Sequence, residues 1–120
     1  MFLFSFFQYA LYTKKSFFKP MLKHIVLWKF KENAEGGSAA ENISAVKKML
    51  EGLFGKIPEI LSIHVRKNTF SFAGNYDVAL IAEFESETEL KAYQAHPLHV
   101  EAAAFVKKVT EARAAVDYEE

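Results

Sequence analysis

The clearest β-strand in this 120-residue chain is His24-Ile-Val-Leu-Trp-Lys-Phe-Lys31, which is rich in β-branched and aromatic residues. Successive side chains of a strand point to opposite faces. One face would carry His24, Val26, Trp28 and Phe30, and the other would carry Ile25 and Leu27. Because both faces are largely apolar, we expect this strand to be covered on both sides.

A helix is predicted immediately downstream. Ser38 and Glu41 have the spacing of a capping box, and Gly55 is placed to end the helix. Apolar residues recur between them at helical spacing and predict one stripe facing the core. That stripe consists of Ile43, Val46, Leu50, Leu53 and Phe54.

Two further strands form a predicted antiparallel hairpin. Residues 59–66 alternate between apolar and polar side chains from Leu61 onward, which is typical of a half-exposed strand. Residues 76–84 are apolar on both faces, and the turn formers Gly74 and Asn75 precede them.

The rest of the chain is predicted to be mainly helical. A second capping-box spacing at Ser86 opens a helix that runs to about Ala95. Pro97 interrupts it and suits the first turn of a new helix, which would end near Arg113. Residues 114–118 can form a short last strand.

The resulting order, β-α-β-β-α-β, predicts an α+β fold of the ferredoxin-like type, with an antiparallel sheet and helices on one face. The other sheet face would expose Ile25, Leu27 and one side of residues 76–84. An apolar sheet face of that area rarely stays exposed on a monomer. We therefore expect a homodimer that pairs through the sheet face, as a dimeric α+β barrel.

Residues 1–20 differ from the rest and form an apolar N-terminal leader, whereas residues 21–120 form the predicted domain. The apolar stretch from Met1 to Tyr12 is too short to span a bilayer and lacks the basic start and cleavage site of a signal peptide. We favour Met21 as the natural start, with the leader as translated upstream sequence. A membrane anchor is the alternative, and no membrane contact is expected unless the leader is genuine.

The amino-acid composition argues against several classes of function. The chain has no cysteine, so disulfides and thiolate metal sites are excluded and a cytoplasmic location is expected. Its 15 basic and 15 acidic residues give zero net charge without a basic run, which argues against nucleic-acid binding. No cofactor is predicted.

Three segments resemble the stress-responsive A/B barrel domain (Dabb) family. They are Met21-Leu-Lys-His-Ile-Val-Leu-Trp-Lys-Phe-Lys31, residues 76–85, and Tyr93-Gln-Ala-His-Pro-Leu-His-Val100. The resemblance covers residues 21–118 and implies a dimeric α+β barrel. It also implies a candidate site, because some plant members are polyketide cyclases with a histidine pair and a tyrosine in a sheet–helix pocket. Their residues match His24, Tyr93 and His99, whereas Val78 stands where those cyclases have a further histidine.

These three residues suit proton transfer next to a carbonyl group. A histidine near its free pKa can remove a proton from carbon, and a tyrosine hydroxyl can polarise the carbonyl. In an enzyme, His99 would be the base, with Tyr93 and His24 orienting the substrate, but we favour a structural role for both histidines. The structural alternative is that His99 anchors the helix break through backbone carbonyls and that His24 is a packed residue at a strand end.

The remaining candidates are a ligand pocket and a metal site. Val26, Trp28 and Phe30 share a face with His24 and are expected to line an apolar pocket for a small hydrophobic ligand. His96 lies three residues before His99, but Pro97 between them breaks the helical register that would align the two rings. No metal site is therefore predicted.

Three functions stay open at this point. The first is a homodimeric barrel protein without a catalytic role that binds a small hydrophobic ligand. The second is a lyase or cyclase acting on a small ketide or other carbonyl substrate. The third is a cofactor-free monooxygenase. All three stay open because one fold can carry unrelated functions.

Overall fold

The computed structural model describes residues 20–120. Its principal strands are β1 (Leu22–Phe30), β4 (Ser62–Lys67), β5 (Val78–Phe84) and β6 (Thr110–Glu119), and a short hairpin is made by β2 (Asn33–Ala34) and β3 (Gly37–Ser38). The helices are α1 (Ala39–Glu51), α2 (Glu87–Ala95) and α3 (Pro97–Val109). The predicted leader covers residues 1–20, of which residues 1–19 lie outside the described residues.

The four principal strands form one antiparallel sheet in the order β4-β5-β1-β6. Burial alternates along β1 and β5, so that one face of the sheet is closed and the other is open. The closed face packs against the helices through residues such as Val46, Leu90 and Val106. This is the predicted α+β, ferredoxin-like fold with helices on one face, and the prediction is confirmed.

The first helix begins as predicted but ends earlier. Ser38 accepts a hydrogen bond from the Glu41 amide, and the Glu41 carboxylate accepts one from the Ser38 amide, each at 3.2 Å. The helix ends at Glu51, and Gly52 takes the C-cap position, where a Cβ atom would lie 2.9 Å from the Lys48 carbonyl oxygen. The prediction that Phe54 faces the core is wrong, since the chain has left the helix there and the side chain is 58% exposed.

Two strand predictions also need correction. The second long strand begins at Ser62, and Leu61 before it is exposed. The last strand is much longer than predicted, because α3 ends at Val109 and residues 110–113 belong to β6. Those residues have ordinary helix propensity, but pairing with β1 along its whole length overrides it.

The second helical region confirms the predicted break. Pro97 occupies the first turn of α3, and His96 has extended backbone between the two helices. Ser86 starts α2 as predicted, although its hydroxyl bonds the Glu89 carboxylate rather than a backbone amide. Within residues 20–120, no helix is long and apolar enough to cross a membrane.

Candidate functional site

A cavity of about 550 Å³ lies on the closed face of the sheet, between β1, β6 and the two later helices. Its floor is apolar and includes Val26, Trp28 and Leu80. The full wall consists of His24, Val26, Trp28, Leu50, Leu80, Tyr93, Gln94, His99, Ala103, Val106, Lys107, Thr110, Glu111, Ala112 and Arg113. The three predicted catalytic residues therefore lie around one space.

His24 is supplied by β1 and is buried. Its Nδ1 atom bonds the carboxylate of Asp117, which is its direct neighbour across the β1–β6 ladder. Because the carboxylate accepts, Nδ1 carries the proton of this bond. A carboxylate that holds Nδ1 in this way orients the ring and leaves Nε2 for other contacts.

Tyr93 is supplied by α2 and is only 1% exposed. Its ring packs between Phe84, at 4.9 Å between ring centroids, and His99, at 4.4 Å. Burial raises the pKa of the Tyr93 hydroxyl to about 12. The phenol therefore keeps its proton at neutral pH and can donate a hydrogen bond to an oxygen in the cavity.

His99 lies in the first turn of α3 and reaches back across the helix break. Its Nδ1 donates to the carbonyl oxygen of Gln94 at 3.0 Å, because a carbonyl can only accept. This is the backbone contact expected of a structural anchor. It also fixes the tautomer, so that in the neutral ring Nε2 is the nitrogen with a lone pair.

The environment of His99 favours the uncharged ring. Burial lowers its pKa below 6.5, and electrostatic interactions with His24 and Arg113 lower it further. The hydrogen bond to the Gln94 carbonyl raises the pKa, but the combined effect of all these contacts lowers it. At neutral pH, His99 is thus a neutral imidazole beside a protonated phenol, which is the pairing that proton abstraction next to a carbonyl requires.

The family model for the stress responsive A/B barrel domain matches residues 22–120. The chain belongs to this family. The resemblance read from residues 21–118 is thereby confirmed. A search of curated proteins found no match to this A/B barrel domain chain.

Solved structures agree with the family assignment. A dimeric protein of unknown function with a ferredoxin-like fold, from Bacteroides fragilis, is 34% identical, with a TM-score of 0.74 over 83% of this chain and 96% of that one. A dimeric ferredoxin-like protein of unknown function from Thermobifida fusca is 27% identical, with a TM-score of 0.73 over 85% and 92% of the two chains. A hydroxynitrile lyase from Passiflora edulis, at 18% identity and a TM-score of 0.64 over 83% and 93%, shares the fold alone.

The predicted ligand-binding residues divide between cavity and core. Val26 and Trp28 line the cavity of this A/B barrel domain. Phe30 is buried on the same strand face, but within the described chain it is not part of the cavity wall. Its distance along β1 from His24 accounts for the difference, because six residues of strand span about 20 Å.

His96 has a different task from His99. Its Nδ1 atom accepts a hydrogen bond from the Leu98 amide at 3.1 Å and so caps the N-terminus of α3. Across residues 20–120, no group of three or more histidine, aspartate or glutamate side chains is arranged to hold a metal ion.

Sequence reasoning missed several polar residues of the site. Asp117 holds His24, and Lys107 and Arg113 line the cavity wall. Arg113 was expected to end a helix. Arg113, Ala115 and Asp117 are alternate residues and would share one face of a strand. Only the register with β1 reveals that this is the face that carries His24.

Proposed function

We propose that this chain forms a homodimer through the open face of its sheet and binds a small hydrophobic carbonyl compound in the cavity on the closed face. Dimer formation would use the open face of the sheet, and ligand binding would use the closed face of the same strands.

The open face supports dimer formation because it is apolar in a contiguous patch. Ile25 lies between Ile81 and Val116 in one row, and Leu27 lies between two alanines in the next. Val116 is 60% exposed on this face. Self-pairing across a twofold axis would cover it, and the related proteins from Bacteroides fragilis and Thermobifida fusca are described as dimeric.

The observation that carries the ligand proposal is that Tyr93, His99 and His24 converge on one apolar cavity. An apolar pocket with a few convergent polar groups is the usual form of a small-molecule site. The apolar floor would hold a hydrocarbon body. The Tyr93 hydroxyl would donate to a carbonyl oxygen, which a purely apolar ligand lacks.

The experiment uses the single tryptophan of the chain, Trp28, which lies in the cavity wall. Hexyl methyl ketone is titrated into the protein while tryptophan fluorescence is recorded. We expect a saturable change, and we expect Tyr93→Phe to weaken binding about fivefold because a neutral hydrogen bond is worth about 1 kcal/mol. The absence of any saturable response to the ketone would contradict the ligand proposal.

A second candidate, a lyase or cyclase on a ketide or carbonyl substrate, is favoured by one observation. The Gln94 carbonyl and the lowered pKa together leave His99 Nε2 as a neutral base. Such a base would remove a proton from the carbon next to the carbonyl bound by Tyr93.

Proton abstraction can be tested without knowing the natural substrate. In D₂O, the wild-type protein should accelerate deuterium incorporation next to the carbonyl of hexyl methyl ketone, as followed by proton NMR. His99→Asn should abolish the acceleration, because the asparagine amide can replace the Nδ1 donor but supplies no base. Equal exchange with and without the protein would contradict the enzymatic candidate and leave ligand binding as the function.

A further inference from the structure

The rim of the cavity carries charge that the proposed carbonyl chemistry does not use. Three charged side chains line it, Lys107, Glu111 and Arg113. Lys107 comes from the last turn of α3, and Arg113 comes from β6, where it lies opposite Trp28 in the ladder. With two cations and one anion, the rim has a net charge of about one positive unit.

Neither cation is neutralised within the described part of the chain. The ion pairs there are made by Lys23, His24, Lys47, Arg66 and Lys91. Arg66, for comparison, reaches the Glu51 carboxylate at 3.4 Å. Glu111 is two residues from Arg113 on the same strand but lies beyond ion-pair distance of it. The guanidinium therefore keeps its donors available.

The charge of Arg113 acts on the same end of the cavity as the candidate base. Arg113 and His99 line the same cavity, and the charge of Arg113 is among the causes that lower the pKa of His99. Trp28, its partner in the ladder, belongs to the apolar floor. Arg113 thus lies where an apolar surface meets the polar group that would contact a ligand carbonyl.

A guanidinium that has no ion-pair partner among residues 20–120 fits a carboxylate better than other anions at this junction. Its planar donors match the two oxygens of a carboxylate and bind them as a parallel pair. Glu111 on the rim would repel a second negative charge, which disfavours a phosphate dianion. An apolar body with one carboxylate matches both the floor and the net charge of the rim.

We propose that Arg113, assisted by Lys107, selects ligands that carry a carboxylate, so that the site takes a small apolar oxo acid. Its hydrocarbon part lies against Val26 and Trp28, its carboxylate bonds Arg113, and its keto oxygen accepts from Tyr93. The inference rests on the proposed ligand site and adds the acid group to its ligand class.

The test compares three probes of similar length, namely octanoate, octanamide and hexyl methyl ketone, at about pH 8, where the acid is ionised. Affinities are measured by Trp28 fluorescence. We expect octanoate to bind at least about tenfold more tightly than octanamide, because hydrogen bonds to charged groups are stronger than neutral ones. Arg113→Gln should abolish this preference, and Lys107→Gln should reduce it.

Lys108→Gln is the matched control, since Lys108 neighbours Lys107 on α3 but is not part of the cavity wall. It removes the same charge from the protein and should leave the preference unchanged. The urea midpoint of Arg113→Gln should be close to that of the wild type, which shows that the variant is folded.

The outcomes separate the two proposals. If the ketone binds but octanoate has no advantage over octanamide, or keeps its advantage in Arg113→Gln, the carboxylate inference is overturned and the ligand site stands. If Lys108→Gln reduces the preference as much as Lys107→Gln does, only the overall charge matters and the inference is also overturned. If none of the three probes produces a saturable response, the proposed ligand site fails.

Discussion

The two faces of the central strand differ in what they present. On the closed face, β1 supplies His24, Val26 and Trp28 to a cavity that contains polar groups with defined hydrogen bonds. On the open face, it supplies Ile25 and Leu27 to a patch whose centre has no polar side chain. The same alternation of residues therefore separates a candidate site for chemistry from a candidate surface for association.

The difference matters because the two faces should respond independently to substitution. A change on the open face should alter assembly without touching the cavity. A change in the cavity should alter ligand contacts and local stability without altering assembly. Substitutions on each face can therefore test this separation.

Ile25→Asp should give the largest effect. It places a carboxylate at the centre of the open face, between Ile81 and Val116, where dimer formation would bury it without a partner. An uncompensated buried charge costs about 3 to 5 kcal/mol, so dimer affinity should fall by at least about 100-fold. Sedimentation velocity over a range of concentrations measures this.

Val100→Asp is the control for that variant. Val100 is an apolar residue on α3 that is 55% exposed and lies away from the sheet. Val100→Asp should leave the dimer affinity unchanged. A wild-type protein that is monomeric at micromolar concentration, or a dimer weakened equally by both variants, would show that the open face is not the interface.

The sheet and the helix break follow closely from the sequence, and the reasons are local. Alternation along residues 24–31 indicates which side chains share a face, and Pro97 is incompatible with a continuous helix. These features are set by near neighbours in the chain. The strand and the helix break therefore depend little on the rest of the fold.

The end of α3 and half of the site depend on distant contacts and could not be predicted. Residues 110–113 become strand because β1 offers an edge, and that pairing carries Arg113 into the cavity wall. The bond between Asp117 and His24 joins residues 93 positions apart. Only the register of the ladder brings them together, and no motif in the sequence encodes that register.

The variants of His99 should give an intermediate effect on stability. His99→Ala removes the bond to the Gln94 carbonyl and the packing against Tyr93, which should cost about 1 to 2 kcal/mol. His99→Asn retains a donor for the carbonyl and should lose roughly half as much. The urea midpoint measures both, at one fixed protein concentration because dissociation is coupled to unfolding.

If His99→Ala unfolds at the wild-type midpoint, the residue does not anchor the helix break. The dimer affinity of both His99 variants should equal that of the wild type. A loss of dimer affinity in either would show that the two faces are coupled.

The smallest predicted effect is on the pH dependence of stability. Because folding lowers the pKa of His99 below 6.5, the unfolded chain takes up a proton more readily than the folded one. The stability contributed by the neutral ring is fully present above pH 6.5 and is lost as pH falls through the lower pKa of the folded state. His99→Asn lacks this component.

Comparing the wild type with His99→Asn at about pH 7.5 and about pH 5.5 isolates the effect of His99, since the other titrating groups are shared. The stability advantage of the wild type should shrink at the lower pH. An advantage that grows at the lower pH would mean that the pKa of His99 is raised by folding.

The separation of the two faces can be tested in one NMR titration of the isotope-labelled protein with hexyl methyl ketone. The account predicts saturable shift changes at the Trp28 indole and the His99 ring, with no comparable change at the methyl groups of Ile25, Ile81 and Val116. Shift changes centred on those open-face methyl groups, with Trp28 and His99 unaffected, would contradict it.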